Sequence, residues 1–214
     1  MRFPGTLVAL ALAALPARAE IVLFDPAAPL DGMAERRFEG RTEWRIVPPP
    51  EGPALRAVPR DSAAMLYRER PFRLVEAPIA TWRWRVERGQ AGADLAVRDR
   101  EDFAAALFFV FGEASLFAPE SRVLIYAWSG DPAARTGAVV PSPRRPERVR
   151  SIVLRAGAVP GLWRDERRDL AADYRAAFGE APPERVSVIA LMTDNDQTGE
   201  PAEALYGAVA VGPR

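Results

Sequence analysis

The chain of 214 residues has no cysteine and no histidine, and every basic side chain in it is an arginine. Without cysteine there is no disulfide and no lipid-modified cysteine anchor, so stability has to come from packing. Without histidine and cysteine, Ser-His-Asp and Cys-His nucleophilic catalysis are excluded, as are zinc sites of the ordinary kind. Without lysine there is neither a Walker-type phosphate loop nor Schiff-base chemistry. Among familiar mechanisms, what survives is oxygen chemistry: paired carboxylates, as in glycoside hydrolysis, or hard cations held by oxygen ligands.

Long apolar runs are scarce too. The run LVALALAAL, residues 7–15, follows Met1-Arg2 and is succeeded by Pro16 and the triplet Ala17-Arg18-Ala19. A charged start, a short apolar middle and an A-x-A site in that order predict a secretory signal peptide over residues 1–19. The run is shorter than the roughly 20 residues a membrane-spanning helix needs. The expectation is a single domain over residues 20–214, periplasmic or secreted, with no membrane insertion after cleavage. The formal charge is +0, and a nucleic-acid partner is not expected, because that footprint needs a clustered basic excess.

What is present in abundance is alternation. In ATWRWRVE, residues 80–87, Ala80, Trp82, Trp84 and Val86 share one side while Thr81, Arg83, Arg85 and Glu87 share the other, the pattern of an antiparallel strand with one wet face. Further strands are predicted at residues 21–24, 55–58, 64–67, 123–128, 149–154, 186–192 and 205–211. The unbroken run FAAALFFVF, residues 103–111, fits a buried helix or a doubly buried strand; its length and aromatic content favour the strand. Many short strands punctuated by Pro and Gly argue for a sandwich or barrel. One helix is predicted, with Asp165 as N-cap, an apolar face of Leu170, Tyr174, Ala177 and Phe178, and an end at Gly179. Residues 48–53 read as a stiff connector, and residues 129–146 as a loop too long for a simple turn.

Two acidic pairs fall at strand ends, Glu101-Asp102 and Asp194 with Asp196. A glycosidase would need such groups to face each other across a substrate at about 5–10 Å. The stretch TDNDQTGE, residues 193–200, also matches the first half of an oxygen-ligand calcium loop, with Asp194, Asp196 and Thr198 as alternate ligands and Gly199 at the sharp turn; Glu200 or Glu203 would add a further ligand. Its second half fails, since Leu205 stands where that loop carries Glu and Pro201 interrupts it. The alternative is an ordinary polar turn, which uses the same residue types. Of the five tryptophans, Trp82 and Trp84 belong to the apolar face of their strand. Trp128 is the better candidate for an exposed recognition platform, with Trp163 next.

The ordered series TWRWRVE, EDFAAALFFVF, LIYAWS, VVPSPRRP, LWRDERRDLAADYRAAFGEAPP and VSVIALMTDNDQTGEPAEALYG resembles the bacterial family called domain of unknown function 3047, over residues 79–211. The family pattern falls on Trp82, Trp84, Asp102, Tyr126, Trp128, Ser129, Arg168, Asp173, Tyr174, Phe178, Gly179, Asp194, Asp196, Thr198 and Gly199. The chain departs from it with Glu101, Asp169 and Gln197, with Ala106 where the pattern leads one to expect Arg, and with Ala208-Val209-Ala210-Val211 for an acidic aromatic ending. The resemblance implies export and a strand layout similar to jelly-roll, galactose-binding-like sandwiches, which bind carbohydrates and in some cases hold a structural calcium.

Taken together, these readings predict an all-β protein, an antiparallel sandwich of jelly-roll type with one edge helix. The expected role is non-catalytic binding of a carbohydrate or other cell-envelope ligand. Its candidate contacts are Trp128, Ser129, Trp163, Tyr126 and Asp102, and its candidate calcium ligands are Asp194, Asp196, Thr198 and Glu200. The alternatives are a carboxylate-based glycoside hydrolase and a structural or protein-interaction envelope domain.

Overall fold

The structure is a computed structural model that describes residues 20–28, 30, 32–48, 50, 52–112 and 120–214. The expected signal peptide, residues 1–19, lies outside the described residues. The strands are β1 (Ile21–Phe24), β2 (Ala34–Val47), β3 (Ala54–Arg73), β4 (Ile79–Arg88), β5 (Ala105–Phe111), β6 (Arg122–Ser129), β7 (Val139–Pro141), β8 (Val149–Ala156), β9 (Arg164–Asp169), β10 (Arg185–Met192) and β11 (Glu203–Gly212). One helix, α1 (Leu170–Phe178), lies between β9 and β10. The all-β sandwich expectation holds, and among the described residues every strand pair is antiparallel except β6 with β8.

The layers are joined by a bent hairpin. Residues 55–58 and 64–67, expected as two strands, belong to the single 20-residue strand β3. Its early part pairs with β11 and its later part with β10, so it runs in both layers. The bend falls where the β2–β3 register slips on either side of Glu39. There Gly40 adopts φ 54° and Asp61 φ 44°. A Cβ on Gly40 would meet the Asp61 carbonyl at 2.2 Å, so the close approach requires glycine. Strands that change sheets through a bulge form the corners of such sandwiches.

The front layer runs β7-β8-β6-β5-β10-β3, and the back layer carries β11, β4 and β9, with β1 beside the end of β11. Aromatic rings from the two layers meet between them: Trp82 of β4 lies 5.0 Å from Tyr126 of β6, and Trp84 lies 5.7 Å from Trp128. Leu107, Phe109, Leu124 and Leu191 fill the same core. The alternate residues of the front strands, Ala106, Phe108, Val110, Val123, Ile125 and Ala190, are also buried, in a second apolar cluster on the outer face. This is why residues 103–111 read as an unbroken apolar run: β5 is covered on both faces.

Helix α1 starts later than predicted. Its N-cap is Asp169, whose carboxylate accepts from the backbone N–H of Ala171 and Ala172, while Asp165 sits inside the charged edge strand β9. Gly179 closes the helix in the left-handed conformation, as predicted. The expected long loop of residues 129–146 contains the short edge strand β7.

Candidate functional site

The outer face of the front layer forms a groove. Its volume is ≈ 470 Å³, within the range of small-molecule sites. Met65 of β3, Met192 of β10, Phe108 of β5 and Val123 and Ile125 of β6 line it, one or two side chains per strand. They are there because period-2 alternation sends each of them outward while their neighbours enter the core between the layers. One wall is the β2–β3 hairpin, with Phe38, 54% exposed, and Glu39. The other is the segment between β7 and β8, carrying Ser142, Arg144 and Arg145.

At one end stand Glu101, Asp194 and Asp196. Register puts them together: Met192 pairs with Ala106, so the residues just before β5 and just after β10 emerge at the same sheet edge. One carboxylate oxygen from each of Asp102, Asp194 and Asp196 lies within 4.8 Å of the others. Asp102, wholly buried, clasps the following loop, accepting from the Gln197 N–H at 3.2 Å, the Thr198 N–H at 2.7 Å and the Thr198 hydroxyl at 2.6 Å. Asp194 accepts from the Phe103 N–H at 2.6 Å, and Asp196 accepts from the Gln197 side-chain amide. Glu101 accepts from the Ser142 hydroxyl at 2.9 Å and from Arg144 at 3.1 Å, tying the two loops over the groove together.

No described basic side chain forms a salt bridge with Asp102, Asp194 or Asp196. Burial, reinforced by the Asp102 charge, therefore pushes the Asp194 carboxyl well above the usual carboxylate range. Asp196 is raised, chiefly by burial. Glu101 is raised by burial as well, in spite of Ser142 and Arg144. Buried acids with perturbed ionisation lining a cleft mark a candidate functional site.

The expected calcium ligands separate into two groups. Asp194 and Asp196 converge, joined by Asp102. The Thr198 hydroxyl is engaged by Asp102, and Glu200 turns away to accept from the Gly92 N–H at 3.1 Å. The donor set at hand is three carboxylates, two of them already accepting backbone N–H groups, against the six to eight oxygens calcium takes. A cation would need water or ligand oxygens to complete its shell.

The expected ligand contacts do not share a surface. Trp128 is not an exposed platform: it is 1% exposed, and its indole donates to the Gly157 carbonyl at 2.7 Å. Near the end of β6 its side chain points inward, between the layers, against Trp84. Tyr126 is buried in the same core and donates to Asp173 at 2.7 Å, and Ser129 is buried at the end of β6. Trp163 lies against the outer face of the back layer, under Arg83 at 4.4 Å and Arg85 at 5.2 Å. Only Asp102 stands beside the groove. Sequence reasoning missed Phe38, Met65, Phe108 and Arg144. Phe38 had one signal, as the only aromatic among the charged residues 34–43.

Among solved structures, the chain is similar to the family 30 carbohydrate-binding module of a cellulosomal cellulase of Clostridium thermocellum, with TM-score 0.52 and 11% identity over 92% of this chain and 99% of that one. It is also similar to a meso-active, thermo-stable cellulase derived from Rhodothermus marinus, with TM-score 0.46 and 14% identity over 84% and 99%. A third similar structure is the carbohydrate recognition domain of Emp46p, with TM-score 0.44 and 10% identity over 89% and 95%. The first of these likenesses shows the fold. No curated protein matches the chain. Residues 31–210 match the family model described as protein of unknown function (DUF3047), and the chain belongs to that family.

Proposed function

We propose that the protein is a non-catalytic binding domain of the cell envelope, periplasmic or secreted, that takes a carbohydrate ligand in the outer groove of its front layer. The observation that carries this reading is the groove itself: ≈ 470 Å³ with an apolar floor, an exposed aromatic ring at one rim and carboxylates at one end. A sugar presents a C–H face that packs on such rings and hydroxyls that donate to such carboxylates. Likeness in fold to a carbohydrate-binding module supports the same reading at the level of architecture alone. Export is supported by the order of charged, apolar and small residues in the first 19 positions.

The hydrolase alternative is less well served. Asp102 and its partners Asp194 and Asp196 do share one neighbourhood, yet their oxygens lie within 4.8 Å of one another. A catalytic pair stands about 5–9.5 Å apart, so these acids sit at or below the short end of that range. Both oxygens of Asp102 are engaged by the loop backbone.

The test is a glycan-array screen of the purified chain beside a Met65→Trp variant, whose larger side chain rises into the groove from its floor. Specific glycan binding by the parent that the variant loses is the expected result. Binding unaffected by Met65→Trp would place the ligand elsewhere and end the reading.

A further inference from the structure

The groove is electrically lopsided, and this narrows the occupant. Three acids line its end, Glu101, Asp194 and Asp196, with Glu39 on the adjoining wall. Two basic side chains line it as well. Arg144 is committed, donating to Glu101 and to the Arg98 carbonyl at 3.2 Å. Arg145 is exposed, where water screens its charge. The Asp196 carboxylate, half-buried, thus faces the groove without a protein cation, in surroundings where a charge interacts more strongly than in bulk water. An acidic ligand would set like charge against it, and a neutral one would leave it unpaired.

We infer that the occupant is an amine-bearing glycan, whose ring face packs on Phe38 and the apolar floor while its ammonium group meets Asp196 at the acidic end. The inference rests on the binding function proposed above and deepens it, from carbohydrate in general to a cationic one. Asp196 is the natural first contact because it is half-buried, whereas Asp194 lies behind it, 3% exposed. Ammonium–carboxylate contacts of this kind are charge-assisted and directional, so the acidic end fixes which end of the sugar enters.

The experiment is calorimetric titration of the purified full chain, freed of divalent ions, with three oligosaccharides of equal length: β-1,4-linked glucosamine, its N-acetylated form, and glucose. The glucosamine oligomer is expected to bind at least tenfold more tightly than either neutral one. Asp196→Asn should bring that ratio close to one while retaining the neutral ligands, and Phe38→Ala should weaken all three by a similar factor. Equal affinity for the three oligomers, or a ratio that survives in Asp196→Asn, overturns the inference and leaves carbohydrate binding standing. Binding that requires added calcium also overturns it, because the cation then comes from the medium. Failure of all three oligomers to bind overturns the inference, and a blank glycan array removes the carbohydrate reading with it.

Discussion

Asp194→Asn isolates the cost of the acidic cluster. The carboxylate oxygens of Asp102, Asp194 and Asp196 lie within 4.8 Å of one another. At an effective dielectric of about 20, two unit charges at that distance repel by about 3.5 kcal/mol, so a fully ionised Asp194 with two such neighbours would be opposed by about 7 kcal/mol. Protonation caps that cost, since an aspartate of ordinary pKa, about 3.9, takes up a proton at pH 7 for about 4 kcal/mol. That figure bounds the destabilisation. The sign follows from the raised folded-state pKa. The native state binds the proton more tightly than the unfolded chain, so this contribution weakens the fold as pH rises from the unfolded pKa through the folded one, at up to about 1.4 kcal/mol per pH unit.

Asparagine keeps an oxygen for the Phe103 N–H and brings no charge. Its substitution should therefore stabilise the protein at pH 7 by up to about 4 kcal/mol, or about 8–16 °C in Tm for a domain of this size. The assay is thermal unfolding of both proteins with a chelator present, from pH 5 to pH 8. The variant should melt higher at pH 7, and the gap should close toward pH 5. A variant that melts lower than the parent, or a gap that does not change with pH, would refute the reasoning. Repeating the scans with calcium tests the cation expectation: a metal held by this cluster raises the Tm of the parent and not of the variant, and magnesium does not substitute.

Trp128→Ala should cost about 3–5 kcal/mol of stability by emptying a core position, which denaturant titration would register as a lower midpoint. Tyr206→Phe removes a wholly buried hydroxyl bonded to Thr193 at 2.7 Å and to the Ala106 N–H at 3.2 Å. It should cost about 1–3 kcal/mol through the groups left unpaired, read in the same titration. Burial alone would raise Glu203, but hydrogen bonds from Arg56 and Arg88 outweigh it and hold the carboxyl below its ordinary value. Its contribution is present above the unfolded pKa and lost as pH falls through the folded one. Glu203→Gln should thus destabilise by about 1 kcal/mol at pH 7, with the difference from the parent vanishing in acid unfolding below about pH 4.

Strands that alternate, such as β4, and strands that are apolar throughout, such as β5, were legible because side-chain period and burial are local properties of a pleated chain. So was the closing glycine of α1. Strands β2 and β9 were not legible, because RRFEGR and RDERRD are charged on both faces. What makes them strands is pairing with β3 and β4 across long stretches of chain, together with the charge that suits a sheet edge. The N-cap moved from Asp165 to Asp169 for the same reason, since pairing with β4 holds residues 164–169 extended.

The residue types and separate acidic pairs of the site were visible in the sequence: no histidine, cysteine or lysine, and acids at strand ends. Their assembly was not. Asp102 meets Asp194 only because β5 lies against β10 in one register, and Phe38 reaches the groove only because β2 follows the bend of β3 between the layers. Local patterning determines which face of a strand is apolar, but whether that face becomes core, as at Trp128, or the wall of a groove, as at Phe108, depends on what distant segments cover it. Only the packing of the whole chain decided that.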